Sequence, residues 1–223
     1  KATVDALKEA SKDPKDKYAP AGFKRQAALL ENYPPSRGKW DIIVLQSFRD
    51  DLDGDDSPYM QYAPKYAKLA KAQGARVILY VTTPTTQNAQ TISSTPDKTP
   101  ILKKSKSIAK LANSIGADVA PMALVAHRSQ SQRPDLSLRF INDAHLNQTL
   151  SYMSACALYA AIFNKNPVGL PITEVTDIRF LEGDKTKDRD GFPITKVFSD
   201  KDRADLQRIA WQGYREFQKL RGN

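Results

Sequence analysis

Two short runs hold the residue types that chemistry needs. The first is Asn142-Asp143-Ala144-His145, where an imidazole follows a carboxylate by two positions. An imidazole oriented by a carboxylate can act as a general base, so His145 is a candidate base, a structural or solvated loop histidine being the alternative; Asp143 stands two positions before the ring and Asn142 three. The second run is Gln46-Ser47-Phe48-Arg49, which directly follows an apolar stretch. A serine at a strand end is a common place for a nucleophile, so Ser47, Asp143 and His145 form one conceivable triad. Gln46 reads as a strand-end amide that must find partners if buried. Arg49 reads either as an anchor for an anionic substrate or as a surface partner of Asp50 or Asp51. His127, the second of the chain's two histidines, is a candidate pocket residue or a surface-loop side chain.

Other chemistries fit less well. One cysteine, Cys156, excludes an intrachain disulfide framework and a multi-cysteine zinc site, and two histidines leave little for a His-rich metal centre. Asp50, Asp51, Asp53, Asp55 and Asp56 cluster, but no glutamate closes a calcium loop after Gly54. That run is expected to be a solvated loop, and neither metal nor cofactor is expected. The formal charge of +9 permits an anionic partner. However, Lys65, Lys68 and Lys71, and again Lys103, Lys106 and Lys110, recur at helical spacing, as on solvated helix faces. No nucleic-acid-binding signature appears, so specific nucleic-acid binding is not expected. No apolar run approaches the roughly 18 residues of a membrane span.

The elements that must position these residues are legible from pattern. Asp41 to Gln46 and Arg76 to Thr83 are β-branched runs of the kind buried in a parallel sheet. Residues 117–125 read as a third strand, weakened by Pro121. A helix is expected over about 64–73, with Pro64 in its first turn, Gly74 as its stop, and Tyr62, Tyr66, Leu69 and Ala70 facing inward. Another is capped by Thr99, starts at Pro100, buries Ile101, Ile108, Leu111, Ala112 and Ile115, and ends at Gly116. Residues 130–141 read as irregular. Residues 147–163 are apolar nearly all round, as in a buried helix. Residues 166–196 are punctuated by proline and glycine and read as loops with a short strand or two. Ser199 with Asp202 opens a last helix with Leu206, Ile209, Ala210, Gly213, Phe217 and Leu220 as its stripe. Residues 4–10 and 23–33 look helical. Trp40, Trp211 and the tyrosines read as packing residues. The length permits one domain over residues 1–223, divided into a helical segment at 1–35, an α/β core at 36–164, and a loop region with a terminal helix at 165–223. Alternating strands and helices predict a mainly parallel sheet flanked by helices, and ligands on such sheets bind beyond the carboxyl ends of the strands.

Several blocks carry a family resemblance. Lys39 to Ser47 resembles the third strand of the SGNH/GDSL hydrolase superfamily, especially a bacterial esterase-like subgroup in which that strand ends Val-Leu-Gln. Gly74 to Tyr80 and Gly116 to Pro121 resemble the next two strands. Asn142 to Asn147, followed by Ser151 to Cys156, resembles the Asp-x-x-His block and small-residue helix that end the family's triad. The resemblance spans roughly Gly38 to Gly169. It implies a three-layer α/β/α flavodoxin-like sandwich and hydrolysis of esters, often acetyl groups on carbohydrates. It also implies His145 as base, an oxyanion-hole role for Gln46, a small-molecule or carbohydrate ester as partner, and a secreted or periplasmic location. Oligomeric state stays open.

The sequence also departs from that family. No Gly-Asp-Ser or Gly-Asn-Ser occurs, and Ser11 and Ser36 lie in polar, Lys- or Pro-containing surroundings. Asn142, not an acid, stands three residues before His145, and Leu150 occupies the place of a usual glycine. Two expectations result: a first strand and its nucleophilic serine upstream of Lys1, where a removed signal peptide would also lie, or a degenerate member that binds without turnover.

Overall fold

β1 (Ile42–Gln46) and β2 (Arg76–Val81) are the two β-branched runs, and they pair in parallel from Ile42 opposite Arg76 to Gln46 opposite Tyr80. β3 (Asp118–Pro121) joins the far side of β2, giving a three-stranded parallel sheet in the order β1-β2-β3. In this computed structural model the described residues are Lys12, Ala28, 39–47, 57–82 and 84–222. The chain divides into two compact units, Lys1–Asp41 and Ile42–Asn223, and the elements here belong to the second. The expected helix at 4–10, that at 23–33 except Ala28, the aspartate cluster and Arg49 lie outside the described residues.

β2 is the middle strand, and Val77 to Val81 are all buried. Side chains on a strand alternate between faces. Val77, Leu79 and Val81 join one cluster with residues of α1 (Pro58–Ala72) and α2 (Thr99–Ile115). Ile78 and Tyr80 join another with residues of α4 (Gln148–Phe163) and α5 (Asp200–Arg221). Helical residues therefore pack against both faces of a mixed α/β core.

Several expectations hold in detail. α2 buries Ile101, Ile108, Leu111 and Ala112, and it ends at Gly116, whose φ of 57° is the left-handed conformation that glycine adopts without penalty. The start of α2 differs from expectation: Thr99 is the first helical residue and not the cap, the N-cap position is Lys98 without a side-chain cap bond, and Asp97 accepts from both Thr99 N and Thr99 Oγ1. α5 opens with Ser199 Oγ accepting from Asp202 N and buries Leu206, Ile209, Ala210, Gly213 and Phe217. Gly213 is a close-approach site: a Cβ there would meet Val125 Cγ2 at 2.7 Å. Lys65, Lys68 and Lys71 on α1, and Lys103, Lys106 and Lys110 on α2, are all exposed, as solvated faces require, while each helix buries other residues. No described helix is long and apolar enough to cross a membrane.

Other expectations are corrected. α1 starts at Pro58 rather than near Pro64, because Ser57 and Pro58 supply an extended cap and a first-turn proline, and Pro64 is carried inside the helix. Its inner face is Tyr59, Ala63, Ala67 and Ala70, while Tyr62, Tyr66 and Leu69 are exposed. The small alanines let the helix lie close to the sheet, and Tyr62 and Tyr66 turn outward. Trp40 is likewise exposed. The third strand stops at Pro121, and Met122, Leu124 and Val125 belong to α3 (Met122–Gln132) instead. Proline has no N–H to extend the ladder, and the apolar run continues as a buried helix. Residues 166–196 hold more structure than expected: β4 (Glu174–Thr176) pairs with β7 (Thr195–Val197), and β5 (Phe180–Leu181) with β6 (Asp184–Asp188), both antiparallel.

Candidate functional site

The Asn142–His145 run forms the tip of a tight loop leading into α4. At its base, Arg139 bridges Leu146, Phe140 N donates to His145 O at 3.1 Å, and Asn147 N donates to Leu138 O at 3.1 Å. Asn147 then caps α4: its Oδ1 accepts from Thr149 N and Leu150 N, and its Nδ2 donates to Ser137 O at 3.0 Å. The loop is thus held at both ends while its tip faces solvent.

At the tip, Asp143 Oδ1 accepts from His145 N at 2.8 Å and is hydrogen-bonded to His145 Nδ1. The acid that meets the imidazole is therefore Asp143, two positions before it. Asn142 contributes its backbone N–H to Asp190 Oδ1 instead. Burial opposes ionisation of Asp143, but the His145 N–H, the imidazole and the Arg189 guanidinium outweigh it and hold the carboxyl below the usual carboxylate range. An ionised Asp143 places the ring proton on Nδ1, a tautomer assigned from this hydrogen bond, and leaves Nε2 with its lone pair available. The His145 side chain is 67% exposed, and Nε2 has no hydrogen-bond partner among the described residues.

The other expected site residues lie elsewhere. Ser47 is buried at the end of β1. Its Oγ accepts from Thr82 N at 3.0 Å and lies 2.6 Å from Thr82 Oγ1, so it fastens the ends of β1 and β2 together. No hydrogen bond joins Ser47 to His145 among the described residues. Gln46 is exposed at the end of β1, where it borders an apolar groove with Val44, Tyr62 and Tyr66, and it is not the buried amide that its strand-end position predicted. His127 is not in a loop: it sits buried on α3, and its Nε2 lies 2.9 Å from Pro96 O. Gln130, one turn further along α3, donates to Thr86 O at 2.8 Å. Together they pin the segment between β2 and α2, which is a structural use of both side chains.

Residues without a functional signal in the sequence complete the loop's support. Asp190 accepts from Ile141 N at 2.8 Å and Asn142 N at 2.9 Å, and Arg189 lies 3.5 Å from Asp143 Oδ2. Asp188, buried, accepts from Asp190 N, Phe192 N and Gln148 Nε2. The local signal here is Asp190-Gly191, a turn dipeptide whose glycine has φ 85°. Nothing in spacing joins residues 188–192 to 141–143 across nearly fifty positions. Between these segments lies a cleft of about 460 Å³, bordered by Phe140, Ile141, Gln148, Asp188, Phe192 and Lys196 among others. Among the described residues, no group of three or more His, Cys, Asp or Glu side chains is placed to hold a metal ion. No protein-family model matches the chain, and neither a curated protein nor a solved structure shows significant similarity to it.

Proposed function

We propose that the chain forms an SGNH-like ester hydrolase domain that acts on a small-molecule or carbohydrate ester, an O-acetyl group being the favoured acyl group, with His145 as general base. The observation that carries this reading is the Asp143–His145 pair, with Nδ1 held by the carboxylate and Nε2 open to solvent. Helices against both faces of β2 support the flavodoxin-like three-layer arrangement that this reading carries with it. A secreted or periplasmic location belongs to the same reading, as the family's habit.

In this reaction His145 Nε2 takes the proton of a serine hydroxyl as the oxygen attacks the ester carbonyl. Asp143 stabilises the imidazolium through Nδ1–H. The imidazolium then protonates the leaving alkoxide as the C–O bond breaks, leaving an acyl-serine. Water, deprotonated by the same nitrogen, attacks the acyl carbon, and the imidazolium returns the proton to the serine oxygen as its bond to the acyl carbon breaks, releasing the acid. The nucleophile is a serine outside the described residues. Release of p-nitrophenol from p-nitrophenyl acetate, and of acetate from acetylated xylan, tests the reading. Activity that depends on His145 supports it, and equal rates with His145→Ala sink it.

One observation favours a second reading, a binding module of the same fold without turnover. Ser47, the serine at a described strand end, spends its hydroxyl on Thr82. Glycan binding with the ester content unchanged supports that reading, and robust hydrolysis ends it.

A further inference from the structure

The cleft beside the Asp143–His145 loop holds polar groups whose bonding capacity is only partly used. Lys196 Nζ donates to Thr149 Oγ1 at 2.8 Å and lies 5.5 Å from the centroid of the Phe198 ring, and among the described residues it makes no other hydrogen bond and no ion pair. An ammonium has three donors, so donor capacity remains beyond the bond to Thr149. Burial, the largest influence, lowers its pKa, with Asp202 and Asp188 near enough to act against that but not to pair. Gln148, 4% exposed, donates from its amide nitrogen to Asp188 Oδ2 at 3.0 Å and Ile194 O at 3.3 Å. Its Oε1 has no hydrogen-bond partner among the described residues. Asp188 and Asp190 each receive backbone N–H bonds and keep lone pairs on the oxygens that accept least. Phe192, 63% exposed, and Ile141 give the cleft an apolar side.

That inventory selects a ligand class. The spare groups are donors and acceptors side by side, which suits hydroxyls, since each hydroxyl both gives and accepts. Two carboxylates against one ammonium disfavour an anionic ligand, whose charge would lie beside Asp188 and Asp190. The ammonium disfavours a cation. About 460 Å³ falls within the range of small-molecule clefts.

We propose that this cleft is a binding subsite for a neutral saccharide, with Lys196 Nζ donating to one sugar hydroxyl, Gln148 Oε1 and Asp188 accepting from others, and Phe192 covering an apolar ring face. The proposal deepens the ester-hydrolase reading by naming where the sugar carrying the ester is held, and it rests on that reading for the link to His145 only.

Isothermal titration of the full-length protein tests it, with xylotetraose, cellotetraose and N-acetylchitotetraose as neutral probes and tetragalacturonate as the acidic comparison. At least one neutral probe is expected to bind more tightly than tetragalacturonate. Lys196→Met is expected to weaken that binding by about tenfold or more, the size of a lost hydrogen bond to a charged group. Phe192→Ala is expected to weaken it by about three- to tenfold. Phe192 is exposed, so its truncation leaves the fold intact and decides the matter if thermal melts show Lys196→Met unfolded. Absence of binding by every neutral probe, tightest binding by tetragalacturonate, or affinity unmoved by a folded variant overturns the proposal. Equilibrium binding requires no turnover, so the two readings fail separately. Ester hydrolysis without saccharide binding removes the subsite alone, and saccharide binding without hydrolysis removes the catalytic reading alone.

Discussion

Replacing Asn147 by alanine should unfasten the loop that carries His145. Asn147 is 8% exposed and serves both sides of that loop. Its Oδ1 accepts from Thr149 N at 3.1 Å and Leu150 N at 3.2 Å, and its Nδ2 donates to Ser137 O and Ser137 Oγ, each at 3.0 Å. Loss of an N-cap side chain costs about 1 kcal/mol. Loss of the bonds to half-buried Ser137 adds about 1 kcal/mol, so the total is about 2 kcal/mol. Asn147→Asp keeps the cap acceptor and adds a favourable charge at a helix N-terminus, but it cannot donate to Ser137, and its expected cost is about 1 kcal/mol. Equilibrium urea unfolding should therefore rank wild type above Asp above Ala. The Ala midpoint should fall by about 1 M at a slope of about 2 kcal/mol/M. Hydrogen exchange should report the local effect, with the Phe140 amide, bonded to His145 O, exchanging faster in the Ala variant. A cost below about 0.5 kcal/mol for Asn147→Ala, or equal costs for the two variants, would refute the view that this side chain joins the cap to the loop.

Asp143, with its pKa lowered in the folded state, contributes stability that is present above the ordinary carboxylate value of about 4. That stability is lost as pH falls through the lowered folded value, so Asp143→Asn should flatten the acid limb of a stability-against-pH curve, and an unchanged limb would count against the pairing. Gly213→Ala gains about 1 kcal/mol of helix propensity but forces a methyl to within 2.7 Å of Val125 Cγ2. With overpacking costing about 1–3 kcal/mol, calorimetry should show a net loss of stability, and a raised melting temperature would mean that the helices part without cost. Burial pushes the Cys156 thiol up to about 12, so a thiol reagent at neutral pH should label it only as fast as the protein opens, and rapid native-state labelling would contradict its burial.

Most of the framework is legible in the sequence. Ser199 announces the start of α5, the apolar run from residue 147 marks α4, and the β-branched runs mark β1 and β2. The apolar stretch after Val119 is ambiguous, because a short buried strand and a buried helix share the same composition. Pro121 marks the change between them without specifying the next element. The inward face of α1 departs from expectation because side-chain size is a poor guide there: close helix–sheet packing favours Ala63, Ala67 and Ala70 over Tyr62 and Tyr66. At the site, the Asp143–His145 contact is legible because it is local. The place of His127 is not, because its partner, the Pro96 carbonyl, is a backbone group 31 positions away. Arg189, Asp190 and Lys196 reach the loop and cleft only through the antiparallel strands of residues 174–197, whose pairing no short-range pattern specifies.

The central claim is that His145, oriented by Asp143, is a catalytic base. Its most direct test is kcat/KM for p-nitrophenyl acetate, measured on the full-length gene product and its His145→Ala variant. Loss of a positioned general base lowers the rate by about 10²- to 10⁴-fold, and a drop of that size is the expected result. Equal kcat/KM values for the two proteins would contradict the account.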